Sequence, residues 1–167
     1  MTPAYIALGA NLSNPKEAFS LAVKSLEAAG VCVEAVSGLW QSPAWPAGSG
    51  QPDYINACAK LSYDGTAPEL LALLQRIEAQ QGRVRSVRNA ARTLDLDILD
   101  FGGAVVSTEN LKLPHPRMLS RGFVLFPLDE IAPHWTDPIS GRAISDWIAQ
   151  LPLADVAPMQ RLGAWHL

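Results

Sequence analysis

The sequence predicts an α+β fold: a ferredoxin-like β-α-β-β-α-β core followed by a C-terminal hairpin and short helices. Three observations lead there. Several short runs alternate apolar and polar residues, as half-buried strands do. Two longer runs carry apolar residues at helical spacing, and each opens on a capping signature and closes at glycine.

Tyr5-Ile6-Ala7-Leu8, closed by Gly9, reads as the first strand. Asn14 can cap the next helix, Pro15 suits its first position and Glu17 can complete a capping box. Phe19, Ala22, Val23 and Leu26 then share one face until Gly30. Val31, Val33 and Ala35 alternate as a second strand. Residues 41–53 are rich in Pro, Gly and Ser and read as a loop, of a length that often serves function in compact domains. Ile55, Ala57, Ala59 and Leu61 form one face of a third strand, with Tyr54, Asn56 and Cys58 on the other. Thr66 and Glu69 make a second capping box, and the helix behind it carries Leu70, Leu71, Leu74 and Ile77 and ends at Gly82. Leu94, Leu96 and Ile98 alternate as a fourth strand. Gly102-Gly103 suggests a hairpin, Pro114 and Pro116 fix a turn, residues 123–131 read as helical, and Ile144, Trp147, Ile148 and Leu151 suggest a last short helix. No repeat or linker divides the chain, so residues 1–167 are expected to form a single domain.

An apolar fraction of 49% excludes a disordered chain. The apolar stretches fall short of the roughly 20 residues that cross a bilayer, so no membrane partner is expected. With 13 Lys and Arg against 16 Asp and Glu, no overall basic field attracts nucleic acid. The first residues lack a basic and apolar leader, which places the protein in the cytoplasm. Cys32 and Cys58 lie in apolar alternating runs and read as buried thiols. His115, His134 and His166 are too dispersed for a local metal motif.

Asp95 and Asp97 are two apart on a strand, so both carboxylates leave one face. Alone, such a pair is most simply a solvated edge. Beside it, however, Arg76, Arg83, Arg85, Arg88 and Arg92 crowd a stretch whose single acid is Glu78. Guanidinium forks match phosphate oxygens in pairs, and paired carboxylates suit Mg²⁺. Acidic pair and basic segment together read as a magnesium-polyphosphate site. The usual glycine-rich phosphate loops are absent. Asp100-Phe101-Gly102 spells a protein-kinase metal motif without its companions, and reads as a strand end and turn. Gln75 and Glu78 are helix neighbours of ordinary solvated appearance near the arginines. Tyr54 beside Asn56 could stack on and hydrogen-bond a flat heterocycle, or simply pack across strands. His115 with Arg117 and Arg121 adds a second basic group that by itself decides nothing. A non-catalytic RNA-binding module is the competing reading, but the aromatic strand signature such sheets use is missing.

The run Arg88-Asn89-Ala90-Ala91-Arg92-Thr93-Leu94-Asp95-Leu96-Asp97-Ile98-Leu99 resembles the signature of the 6-hydroxymethyl-7,8-dihydropterin pyrophosphokinase family of folate biosynthesis. Ala7-Leu8-Gly9-Ala10-Asn11-Leu12, Gln51-Pro52-Asp53-Tyr54-Ile55-Asn56, Gln75-Arg76-Ile77-Glu78, Gly82-Arg83-Val84-Arg85, Leu113-Pro114-His115-Pro116-Arg117 and Arg121-Gly122-Phe123 resemble further family segments in order. The resemblance implies transfer of diphosphate from ATP to the hydroxymethyl group of 6-hydroxymethyl-7,8-dihydropterin, releasing AMP. It implies two Mg²⁺ ions on Asp95 and Asp97, with Arg83 and Arg92 neutralising phosphates. By likeness Gln75, Glu78, Arg85, Arg92, Ile98, His115 and Arg121 contact ATP. Tyr54 and Phe123 would sandwich the pterin, Asn56 would bond its edge, and Ser42, Pro43 and Trp45 would complete its pocket through their backbones. A monomer is expected. Some members carry a tryptophan just before the Arg92 position, where this chain has Asn89-Ala90-Ala91.

Overall fold

The computed structural model describes residues 1–11, 14–43, 50, 52–81 and 94–165. In chain order these form β1 (Thr2–Ala10), α1 (Pro15–Ala28), β2 (Cys32–Val36), β3 (Leu39–Ser42), β4 (Tyr54–Tyr63), α2 (Ala67–Gln80), β5 (Asp95–Phe101), β6 (Val106–Ser107) and β7 (Lys112–Leu113). A 3-10 turn (Met118–Ser120), α3 (Gly122–Ile131), α4 (Ile144–Ala149), α5 (Leu153–Val156) and β8 (Gln160–Gly163) follow. Both long helices start at their predicted caps. Asn14 Oδ1 accepts from the Glu17 N–H at 3.3 Å, and Thr66 and Glu69 bond reciprocally.

The sheet runs β5-β1-β4-β3-β8 with β2 also paired to β4, and every pairing is antiparallel. β1, the β2/β3 pair, β4 and β5 with their two helices make the expected split β-α-β-β-α-β core. Ile6, Leu8, Ala59, Leu61, Leu96 and Ile98 meet Phe19, Val23 and Leu26 of α1 and Leu70, Leu74 and Ile77 of α2 on one face. The other face packs Cys58 and Leu99 against Val124, Leu125 and Leu128 of α3, with Trp135 and Ile144 behind. The sheet is therefore covered on both sides, and the second cover aims the segment before α3 at β5. Trp135 Nε1 donates to buried Asp100 at 2.7 Å, and the His115 N–H donates to the Leu99 carbonyl at 2.8 Å. Glu130 fastens the far end of α3 by accepting from the Gly38 N–H, Trp40 Nε1 and Arg161 Nε at 2.7, 3.2 and 3.0 Å.

Five details depart from the sequence reading. The second strand is two, β2 and β3, broken at Ser37-Gly38, where Ser37 Oγ accepts the Cys58 N–H at 2.9 Å. Gln41 and Ser42, read as loop, pair with Ile55 and Tyr54. β8 adds an unannounced edge to β3. The C-terminal hairpin is β6–β7, one turn beyond Gly102-Gly103, whose positive φ values of 60° and 74° swing the chain off β5. Cys32 is exposed, and Cys58 alone is buried. Burial raises the Cys58 thiol above its ordinary pKa, and the charge of Glu130 pushes the same way. Among the described residues no helix is long and apolar enough to cross a membrane.

Candidate active site

Strand β5 is an edge of the sheet, and the groups covering that edge build the site. Asp95 and Asp97 alternate with buried Leu96 and so emerge together on the face that carries α3. The outer edge would expose unpaired backbone, but the Leu96 N–H donates to Glu78 Oε2 at 2.8 Å. Glu78 is only 4% exposed, although its sequence setting suggested a solvated residue. Leu71, Gln75 and Glu78 follow one another at helical spacing and turn the same stripe of α2 toward β5.

A cleft of about 510 Å³ opens there, lined by Leu71, Gln75, Glu78, Asp95, Leu96, Asp97, His115, Pro116, Arg117 and Arg121. Residues distant in sequence thus meet: a stripe of α2, the carboxylate strand and the turn before α3. The imidazole is oriented, because the Arg117 N–H donates to His115 Nδ1 at 3.2 Å. The neutral ring then carries its proton on Nε2 and presents a donor. Burial lowers the His115 pKa, and Arg121 and Arg117 act in the same sense against the opposing charge of Asp97. Burial and Arg117 likewise lower that of Arg121, while Asp97 and Asp95 oppose them. Acid and base are interleaved, as binding a metal-bound polyanion requires.

Beside the cleft, sheet register sets a second group. Trp40, Asn56, Gly9 and Asp95 lie in one lateral row across β3, β4, β1 and β5. Tyr54, opposite Ser42, is one pleat further along the same face. Phe123 starts α3 with the Arg121 guanidinium 5.4 Å from its ring centroid, so an aromatic of this group touches a cation of the cleft. Gly9 is required by close approach, since a Cβ there would stand 2.9 Å from Asn56 Oδ1. Gly9→Ala is therefore expected to displace the Asn56 amide with little loss of fold stability. Thermal unfolding of the variant beside the wild-type chain checks this.

Not every predicted residue is brought in. Ile98 packs opposite Ile6 in the core and does not line the cleft. Pro43 is exposed at the end of β3. Arg83, Arg85, Arg88, Arg92 and Trp45 lie outside the described residues. Sequence reasoning counted Leu71 to the apolar face of its helix and gave Arg117 no role of its own, yet Leu71 stands four residues before Gln75 on the stripe that lines the cleft.

The family model for 7,8-dihydro-6-hydroxymethylpterin-pyrophosphokinase, HPPK, matches residues 5–133. The chain belongs to this family. A curated HPPK, the 2-amino-4-hydroxy-6-hydroxymethyldihydropteridine pyrophosphokinase of Synechocystis, is 41% identical over 93% of this chain and 80% of its own length. Its namesakes from Haemophilus influenzae and Pseudomonas aeruginosa are 45% and 41% identical, over 79% and 91% of this chain and 82% and 93% of their own. The fold is also that of larger HPPK-DHPS proteins. One solved in complex with substrates superposes with a TM-score of 0.75 at 10% identity, covering 96% of this chain and 48% of its own. Wild-type HPPK-DHPS of Plasmodium falciparum gives 0.70 at 11%, covering 89% and 44%. The chain spans under half the length of those two structures.

Proposed function

We propose that this HPPK transfers diphosphate within the cleft between α2, β5 and the turn before α3. The acceptor is the hydroxymethyl group of 6-hydroxymethyl-7,8-dihydropterin, and the donor is ATP. The hydroxymethyl oxygen attacks the β-phosphorus, the bond from that phosphorus to the oxygen bridging to the α-phosphate breaks, and AMP leaves. The acceptor's hydroxyl proton passes to solvent. One observation carries the reading: Asp95 and Asp97 stand side by side in a cleft that also holds His115 and Arg121.

The donor set fits Mg²⁺. Among the described residues no group of three or more His, Cys, Asp or Glu side chains forms a cage, and Mg²⁺ ordinarily takes one or two carboxylates plus phosphate oxygens and water. Asp95 and Asp97 would hold two ions, which when bound supply charge neutralisation for the phosphates. Arg121 and the His115 Nε2–H grip phosphate oxygens and align them for in-line attack. Gln75 and Glu78 flank the nucleotide from α2. Any contact from Ile98 comes from its main chain, since its side chain is in the core. Arg83, Arg85 and Arg92 add charge to the phosphates. Tyr54 and Phe123 hold the pterin between their rings, Asn56 bonds its edge, and the backbones of Ser42, Pro43 and Trp45 complete its pocket. The 167 residues act as one domain, monomeric and cytoplasmic, with no nucleic-acid partner.

Because Tyr54 lies on the Asn56 side of the row and away from the cleft lining, Tyr54→Ala should weaken the pterin by about 1–3 kcal/mol. ATP affinity should hold. Calorimetric titration of each ligand tests this, and equal weakening of both would misplace the pterin pocket.

A further inference from the structure

We propose that Arg117 is an additional polyphosphate-binding residue of the cleft, acting beside His115 and Arg121. This rests on the reading of the cleft as the ATP site and adds a residue to it. The observation is one of placement. Arg117 lines the same cleft as Asp95, Asp97, His115 and Arg121.

Its backbone is held firmly. The N–H donates to His115 Nδ1 at 3.2 Å, and the carbonyl accepts from Ser120 Oγ at 3.1 Å and the Ser120 N–H at 3.3 Å. The side chain is exposed, yet among the described residues the ion pairs are Met1 with Asp64, Lys60 with Glu34, and Arg161 with Glu130. None involves Arg117. A solvated surface arginine would ordinarily extend away from other cations. This one instead stands close enough to His115 and Arg121 for its charge to bear on both. Arg117 and Arg121 on one short turn repel each other in the empty protein, and with the neutral His115 donor beside them they become favourable when a triphosphate lies among them. Arginine's fork can share such oxygens with Arg121 without displacing the carboxylates that face them.

The proposal separates phosphate recognition from nucleoside recognition. Equilibrium binding of ATP, ADP, AMP and inorganic tripolyphosphate, each with Mg²⁺, would be measured on the wild-type chain, Arg117→Ala and Arg117→Lys. Arg117→Ala should weaken ATP and tripolyphosphate about tenfold while AMP changes less than twofold. Arg117→Lys should recover part of the loss, since the charge returns without the fork. Hydroxymethyldihydropterin affinity should stay within twofold. Unchanged ATP affinity in Arg117→Ala would overturn the proposal and leave the cleft assignment standing. An equal loss for ATP and AMP would also overturn it, placing Arg117 against the part the two share, the nucleoside with its α-phosphate. A wild-type chain that failed to bind Mg-ATP would remove both this proposal and the cleft assignment beneath it.

Discussion

Asp97→Ala is expected to lower turnover by about three orders of magnitude while leaving the fold intact and pterin affinity within a few-fold. Asp97 is half-exposed on the sheet face beside the cleft and lies opposite Ala7, so truncation opens no core cavity. On the proposed reading it removes one of the two adjacent carboxylates that would hold Mg²⁺. Losing one preorganised electrostatic partner of a transition state typically costs about 10²–10³ in rate, and the proposed metal-holding pair would be halved as well. Mn²⁺ titration with a non-hydrolysable ATP analogue gives a readout independent of turnover. The wild-type chain should hold two ions and the variant fewer. Equal Mn²⁺ stoichiometry in both would show that the carboxylate pair is the solvated edge its sequence alone most simply suggested.

Arg121→Ala should lower kcat by about 10²–10³-fold, the scale for one charged donor to a transferring phosphoryl group. Arg121 sits where the two halves of the site join, lining the cleft while its guanidinium stands over the Phe123 ring. Arg121→Lys should restore only part of the rate, because an ammonium keeps the charge but loses both the planar fork and the stacking surface. Phe123→Leu should in turn impair ATP use as well as pterin binding, which Tyr54→Ala should not. Steady-state kinetics on the four variants, with both substrates varied, distinguishes these outcomes. Full rescue by lysine would reduce Arg121 to a point charge.

The central strands and capped helices were legible because local signals and tertiary needs agree there. Leu94, Leu96 and Ile98 alternate, so the shared face of Asp95 and Asp97 follows from the pleat alone. Other features depend on partners distant in the chain. β3 reads as loop because Gln41-Ser42 opens a Pro- and Gly-rich stretch, and only pairing with β4 makes it extended. β8 has no apolar alternation, and its pairing with β3 and the Arg161–Glu130 bond decide its place. Glu78 resembles any polar helix residue until α2 is laid along the β5 edge, where its carboxylate meets the Leu96 N–H. Cys32 sits in an apolar run, yet β2 presents it to solvent. The joining of α2, β5 and the turn at His115 is a tertiary fact, and no local pattern announces it.

The most direct test of the central claim is product identity. The chain would be incubated with Mg-ATP and 6-hydroxymethyl-7,8-dihydropterin, and nucleotide products resolved over time. The account predicts pterin-dependent release of AMP, equimolar with a dihydropterin diphosphate ester. Release of ADP, or of AMP without the pterin ester, would contradict it.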